Sequence, residues 1–218
     1  MARRHQEVIP MRNLLAFGDS NTWGLVPRPG SHERFPWDRR WTGILQSKLP
    51  GVRVIEEGLC GRTTVFEDEL RPGRRGLNSL PVILDSQSPV DFAILMLGTN
   101  DCKTVYGVSA HTIGKGIDLC LNVMESYLDP SRILLVSPLY LGEDVWRPGK
   151  DPEFDRRSVE VSRELKDVYR DIASRRGNGF LAASDYVTPS SIDDEHMDDK
   201  GHLLFAQAVY GKLREIWL

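Results

Sequence analysis

Residues 13–24 read Asn-Leu-Leu-Ala-Phe-Gly-Asp-Ser-Asn-Thr-Trp-Gly, an apolar run followed by a serine between two glycines. A short run that is apolar throughout and ends at a glycine is typical of a strand buried on both faces of a sheet. Four similar runs follow, at 52–55, 92–97, 133–137 and 179–182. The sequence therefore predicts five buried strands, with Ser20 just beyond the first.

Amphipathic helical patterns separate these strands. Apolar residues recur at helical spacing over 41–49, 113–128, 161–172 and 203–216, and a shorter helix is predicted over 79–87. Strands that alternate with helices indicate an α/β fold with helices on both faces of a mostly parallel sheet. Because crossovers are right-handed, we expect a three-layer, flavodoxin-like, doubly wound α/β/α sandwich of about five strands. Ligands in such folds bind beyond the carboxyl ends of the strands.

Length and composition restrict the class of protein. The 218 residues suit one α/β domain, and the formal net charge of −3 does not indicate a nucleic-acid-binding surface. No apolar run approaches the roughly 18 residues of a membrane span, and no signal-type apolar run follows the basic N-terminus. Three cysteines without a C-x-x-C pair indicate reduced thiols. We therefore expect a cytoplasmic protein with no nucleic-acid or membrane partner, with a flexible extension over 1–11 and one domain over 12–218.

A serine hydroxyl needs a base before it can act as a nucleophile, so Ser20 requires a nearby histidine. His196 follows the fifth predicted strand, at the end of the run Asp-Asp-Glu-His that begins at Asp193. An aspartate three residues before a histidine can accept its Nδ1–H, which leaves Nε2 facing the serine. Asp199 and His202 have the same spacing, but we expect Asp199 to cap the last helix and His202 to point along its first turn.

Glycine and asparagine occupy the ends of the second and third strands. Gly61 lies in Gly-Leu-Cys-Gly-Arg-Thr-Thr, and Asn100 lies in Gly-Thr-Asn-Asp. Ester hydrolysis passes through a tetrahedral oxyanion that needs donors placed around it in advance. Candidate donors are the backbone N–H groups of Ser20 and Gly61 and the carboxamide of Asn100, since a glycine amide can approach a ligand closely. The sequence therefore predicts an oxyanion hole.

These separated residues resemble the SGNH hydrolases, also called GDSL hydrolases, in which Ser, Gly, Asn and His occupy four sequence blocks. Ser20, Gly61 and Asn100 match the first three blocks, and Asp193 and His196 match the Asp-x-x-His of the last. The resemblance spans essentially the whole predicted domain and implies the SGNH hydrolase fold. It also implies a serine nucleophile, a histidine base oriented by the aspartate, and no metal or organic cofactor.

Asn21 departs from the family pattern, because the leucine that gives the family its name would stand there. We expect this change to alter the local pocket shape and not the nucleophile. Finer matches, Arg-Trp-Thr-Gly from Arg40, Glu-Glu-Gly-Leu from Glu56 and Leu-Gly-Thr-Asn-Asp from Leu97, resemble the bacterial arylesterase and acyltransferase branch. That branch implies a homo-oligomeric esterase for small acetyl-type esters, acting through an acyl-enzyme. It also implies acyltransferase or perhydrolase side activity, with carbohydrate O-acetylesterase as an alternative.

Other interpretations of the same residues stay open. A flavodoxin-like protein would use the hydroxyl-rich run after the first strand to bind phosphate or flavin, but it gives no role to Asn100 or His196. A non-catalytic scaffold is favoured if Ser20 is buried. The acidic residues around His196 are expected to be a solvated helix start rather than a metal site.

Three further features are candidates for contact with substrate. Trp23 follows the serine by three residues, and Lys103 follows Asp101 by two. We expect Lys103 to be exposed; the alternative, from its position two residues beyond Asp101, is the mouth of the pocket. The irregular segment 139–157 is either a substrate loop or a surface excursion.

Overall fold

Five strands, six α-helices and four short 3₁₀ helices make up the regular structure of the part of the chain that the computed structural model describes, residues 11–28 and 30–218. The predicted extension over 1–11 lies outside the described residues, apart from Met11. The strands are β1 (Arg12–Gly18), β2 (Val52–Gly58), β3 (Phe92–Met96), β4 (Ile133–Ser137) and β5 (Gly179–Ala182). The helices are α1 (Ser20–Trp23), α2 (Trp41–Lys48), α3 (Gly76–Gln87), α4 (Ala110–Glu125), α5 (Arg156–Arg176) and α6 (Asp199–Ile216).

The strands pair in parallel in the order β2-β1-β3-β4-β5. Successive side chains of a strand point to opposite faces of the sheet, so each apolar strand feeds two cores. Leu15 and Phe17 pack with α3, α4 and α5, whereas Leu14 and Ala16 pack with α2 and α6. The predicted three-layer, doubly wound sandwich is therefore confirmed. None of the described helices is both long and apolar enough to span a bilayer.

The strand order creates a crevice at one edge of the sheet. From β1 the chain crosses to β2 on one side and then returns to β3 on the other. Connections that leave neighbouring strands in opposite directions open a gap above their carboxyl ends, where ligands bind in this type of fold. The segments after β1 and β3 therefore flank one crevice, next to the segment after β2.

A largely buried ion pair holds α2 against β2. Arg40, which precedes α2, donates from Nε and Nη2 to the carboxylate of Glu56 at 3.0 and 2.7 Å, and Thr42 donates to the same carboxylate. A bidentate pair fixes both the distance and the angle between its two elements. Two of the finer sequence matches, those beginning at Arg40 and Glu56, are thereby assigned to the scaffold beneath the site.

Two local expectations are wrong. The cap of α6 is Asp198, whose side chain accepts the N–H of Gly201 at 2.7 Å, and Asp199 is the first helical residue. The irregular segment after β4 ends at Asp155, which caps α5 in a capping box with Ser158. Adjacent polar residues offer several caps, and only the backbone path decides between them.

Candidate active site

Ser20 lies at a sharp turn between β1 and the single-turn helix α1. Asp19 caps this helix, its Oδ1 accepting the N–H of Asn21 at 3.0 Å. The turn packs directly on the end of β2, where a Cβ on Gly58 would lie 2.1 Å from the backbone nitrogen of Trp23. Only glycine permits this approach, and the turn presents the Ser20 hydroxyl at the carboxyl edge of the sheet.

Ser20, His196 and Asp193 form a continuous hydrogen-bonded chain. The Nε2 of His196 lies 2.8 Å from the Oγ of Ser20, and its Nδ1 lies 2.8 Å from the Oδ2 of Asp193. The other oxygen of Asp193 accepts the backbone N–H groups of Glu195 and His196 at 3.1 and 3.0 Å. One carboxylate therefore sets both the loop conformation and the orientation of the imidazole.

The Ser20 residue is buried, with 3% of its surface exposed. This meets the condition under which a non-catalytic scaffold would be favoured. A scaffold, however, does not need a serine hydroxyl joined to an imidazole that a carboxylate orients, whereas activation of a serine requires that arrangement. Burial also shields the chain of hydrogen bonds from competing water.

The charges around His196 favour its protonated form. Burial by itself disfavours the imidazolium, but the carboxylates of Glu195, Asp193 and Asp19 outweigh it and raise the pKa of His196 to about 9. Burial would raise the pKa of Asp193, but the hydrogen bond and charge of His196 outweigh it, so that pKa lies below its usual value. The site is therefore arranged to stabilise a proton on the imidazole.

The three predicted oxyanion donors lie at the ends of neighbouring strands. Gly61 has a φ of 80°, a left-handed conformation that favours glycine. Its N–H and that of Ser20 meet no acceptor among residues 11–28 and 30–218. Asn100 is buried, and its Nδ2 donates to the carbonyl oxygen of Arg62 at 3.1 Å, which leaves a second N–H for a ligand.

Two contacts lock the segment after β2 against the neighbouring strand ends. Arg62 donates from Nη1 to the carbonyl oxygen of Gly18 at 2.8 Å, and its guanidinium lies 4.1 Å from the ring centre of Phe17. Thr64 donates its N–H to Asp101 at 3.0 Å, where burial raises the pKa of the carboxyl to about 6. The role of Arg62, Thr64 and Asp101 is to hold Gly61 and Asn100 in place, which the sequence pattern does not indicate.

Asn21 has a role that sequence analysis missed. The residue is buried; its Oδ1 accepts the N–H of Met197 at 2.9 Å, and its Nδ2 donates to the carbonyl oxygen of Glu195 at 3.4 Å. These backbone atoms lie on either side of His196 in the chain. A leucine side chain makes no such bonds. Asn21, where the family pattern has leucine, therefore joins the turn that carries Ser20 to the loop that carries His196.

The structure places the two candidate substrate residues differently. Trp23 is half-buried at the end of α1, with the guanidinium of Arg34 5.1 Å from its ring centre. The expected exposure of Lys103 is wrong, since only 4% of the residue is exposed. Its ammonium pairs with Glu153 and lies 5.8 Å from the ring centre of Phe154, because the segment after β4 folds over it.

His202 and two of the acidic side chains near His196 have structural partners. His202 is fully buried and accepts the N–H of Trp41 at Nδ1, 3.3 Å away, and burial lowers its pKa to about 4. Asp199 pairs with Arg39, and Asp194 pairs with Lys150. Among the residues that the structure describes, no group of three or more His, Cys, Asp or Glu side chains is placed to hold a metal ion.

Comparisons with known proteins identify the family and the fold. The sequence profile of the GDSL-like lipase/acylhydrolase family matches residues 16–205. A carbohydrate acetylesterase from Sinorhizobium meliloti is 30% identical, with a TM-score of 0.85 over 94% of this chain and 100% of that chain. The M. smegmatis aryl esterase is 29% identical, with a TM-score of 0.83 over 94% of this chain and 99% of that chain. No curated protein matches the chain.

The family match runs from β1 into α6 and includes the residues of all four sequence blocks. It confirms the resemblance that the separated Ser, Gly, Asn and His blocks indicated. The chain belongs to the GDSL-like lipase/acylhydrolase family and is a carboxylic ester hydrolase.

Proposed function

We propose that the protein hydrolyses short-chain, acetyl-type carboxylic esters through an acyl-enzyme formed on Ser20. The observation that carries the proposal is the pair of 2.8 Å contacts that joins Asp193, His196 and Ser20. The likeness to an aryl esterase and a carbohydrate acetylesterase supports an acetyl-type substrate. The second candidate, a carbohydrate O-acetylesterase, differs only in the alcohol that leaves.

The proposed reaction has two halves. The Oγ of Ser20 attacks the carbonyl carbon while its proton passes to the Nε2 of His196, which then gives that proton to the departing alkoxide. Water attacks the acyl-serine in the same way, releases the carboxylic acid and restores the hydroxyl. Asp193 keeps the proton of Nδ1 in place throughout, so that Nε2 faces the serine.

The oxyanion is proposed to bind to the N–H groups of Ser20 and Gly61 and to the Nδ2 of Asn100. The two backbone N–H groups lack acceptors in the described part of the chain, so they stand ready for a charge that develops only during the reaction. Donors that are fixed beforehand need no reorganisation and therefore lower the barrier.

Replacing Asn100 by alanine is expected to lower kcat by roughly 10²- to 10³-fold with little change in KM, because one donor to the oxyanion is lost. Steady-state kinetics with p-nitrophenyl acetate measures both constants. Asn78→Ala is the matched control, since Asn78 is exposed on α3. A change confined to KM would show that Asn100 only positions the substrate.

Acyl-chain selectivity tests the proposed substrate class. We expect kcat/KM to fall by about tenfold or more between acetyl and hexanoyl esters, because the triad is buried and each misfitting methylene is worth a measurable factor. A series of p-nitrophenyl esters measures this, with Ser20→Ala as the blank. A preference for long chains would contradict the proposal. Faster release of acetate from acetylated sugars than from aryl acetates would favour the second candidate.

We also propose side activities, an oligomeric state, a location and a domain extent for the protein. Acyl transfer to alcohols or peroxide would use the same acyl-enzyme, and a homo-oligomeric state follows only from the branch that the sequence resembles. A cytoplasmic location is supported by three free cysteines, two of which are buried.

Residues 12–218 are proposed to form one domain, since the proposed site combines residues that follow four of its strands. Trp23 is proposed as a substrate contact, and Lys103 as part of the wall behind the site.

A further inference from the structure

Glu195 is a buried acid beside the reacting atoms. The residue is 6% exposed, and no hydrogen bond from a described residue acts on its carboxylate. Its Oε1 lies 3.6 Å from the Nε2 of His196, the same nitrogen that contacts Ser20. Placing a carboxylate where little water reaches it is unfavourable, and buried acids beside a charged partner cluster at functional sites.

The imidazole is surrounded by negative groups. Asp193 faces Nδ1 from the same loop, Glu195 faces Nε2 beside the neutral hydroxyl of Ser20, and Asp19 acts from the turn after β1. Of these groups, Glu195 is the only carboxylate within 4 Å of Nε2 in the described structure. It therefore acts on the nitrogen that exchanges a proton with the serine.

Titratable groups from three other segments lie near Glu195. Lys103, from the turn after β3, favours its carboxylate form, but the ammonium already pairs with Glu153. Asp151, from the segment after β4, opposes the carboxylate form of Glu195. The thiol of Cys60, from the segment after β2, lies near enough for the charge of Glu195 to disfavour its ionisation. Burial dominates, and it raises the pKa of Glu195 to about 7. His196 is thus the group with which the carboxylate interacts most directly.

We propose that Glu195 is a further catalytic residue of the proposed esterase: its carboxylate meets the Nε2 edge of His196 and stabilises the imidazolium that carries the proton of Ser20. When Oγ attacks, the O–H bond breaks and the N–H bond forms on Nε2. The new positive charge then lies between Asp193 and Glu195. The proton leaves with the alcohol, and Glu195 itself neither gains nor loses one.

The same charge also acts before the reaction. A carboxylate beside Nε2 stabilises the imidazolium in the resting enzyme, so a proton must be lost at higher pH before His196 can serve as a base. Removing the charge lowers the pKa of the imidazole, which frees the base at lower pH but makes it a weaker acceptor. The wild-type and neutralised enzymes should therefore have pH profiles that cross.

The test is the pH dependence of kcat/KM for p-nitrophenyl acetate in the Glu195→Gln variant, with Ser20→Ala as the blank. We expect the acidic limb to move down by about one pH unit or more, towards the ordinary histidine value of about 6.5, and the alkaline plateau to fall about tenfold. Glu195→Asp retains the charge, so its limb should stay above that of the glutamine variant. An unchanged limb in Glu195→Gln would overturn the proposal.

Asp194→Asn is the matched control, because it removes the adjacent negative charge, which pairs with Lys150. Asparagine also tolerates the φ of 60° at that position. The acidic limb of the kcat/KM profile of Asp194→Asn should coincide with that of the wild type. An NMR titration of the His196 imidazole in the Ser20→Ala background, with and without Glu195→Gln, gives the same comparison without activity. An equal pKa in both proteins would overturn this inference alone, whereas hydrolysis by Ser20→Ala would overturn the proposed function.

Discussion

Replacing Ser20 by alanine is expected to abolish ester hydrolysis, with kcat lower by roughly 10⁴-fold or more. The hydroxyl ends the hydrogen-bonded chain from Asp193 through His196, and no acyl-enzyme can form without it. The proposed oxyanion donors do not include the hydroxyl of Ser20, so Ser20→Ala keeps them. The loss of kcat therefore measures the role of the hydroxyl as nucleophile. Burst and steady-state kinetics with p-nitrophenyl acetate measure the effect, and circular dichroism checks the fold.

A second serine provides the control for this variant. Ser86 lies exposed near the end of α3, and among the described residues its hydroxyl bonds only to the carbonyl oxygen of Ile83. Ser86→Ala should keep the wild-type kcat. It removes the same hydroxyl group, but from a residue that makes no hydrogen bond to Ser20, His196 or Asp193. Hydrolysis by Ser20→Ala at more than a few per cent of the wild-type rate, above background, would rule out Ser20 as the nucleophile.

Replacing Asp193 by asparagine is expected to lower kcat by roughly 10³- to 10⁴-fold. The amide oxygen can still accept the backbone N–H groups of Glu195 and His196, so the loop keeps its path. The amide NH₂ would then face Nδ1 and favour the tautomer that carries its proton on Nε2. That tautomer cannot accept a proton from Ser20, so the imidazole loses its role as a base.

The pH dependence of folding provides a second measurement on Asp193. Its pKa is lower in the folded state than in the unfolded chain, so its ionisation stabilises the fold above the unfolded value and this contribution disappears as the pH falls through the folded value. Asp193→Asn should therefore lose stability at neutral pH and little at acid pH. Asp144→Asn, at an exposed pair with Arg147, is the control. Wild-type kcat in Asp193→Asn would contradict the assigned role.

The strands were predictable because the signal for a strand buried on both faces is local. Each of the five apolar runs became a strand, and the runs 133–137 and 179–182 match β4 and β5 residue for residue. The site was predictable to the extent that parallel strands bring their carboxyl ends to one edge. Ser20, Gly61 and Asn100 each follow a strand, so an approximate meeting place could be derived without coordinates.

Lys103 shows where local reasoning fails. A lysine two residues after a strand-end turn is normally solvated, and nothing near it in the sequence indicates burial. Its partner Glu153 lies 50 residues away, in a segment without periodicity whose path follows from its own turns and ion pairs. Asn21 is a similar case, since its partners in the histidine loop are 174 and 176 positions distant.

Strand positions, helix faces and the order of the four chemical blocks all follow from the linear sequence, because burial and periodicity act on neighbouring residues. The contacts that set the orientation and the pKa of the His196 imidazole do not follow from the linear sequence. The 2.8 Å contact with Ser20, the hydrogen bonds from Asn21 and the 3.6 Å contact with the carboxylate of Glu195 depend on how loops from opposite ends of the chain pack on the sheet. Hydrogen bonds and charge interactions change steeply over a few tenths of an ångström to a few ångströms in a buried site, and only the tertiary structure specifies distances of that size.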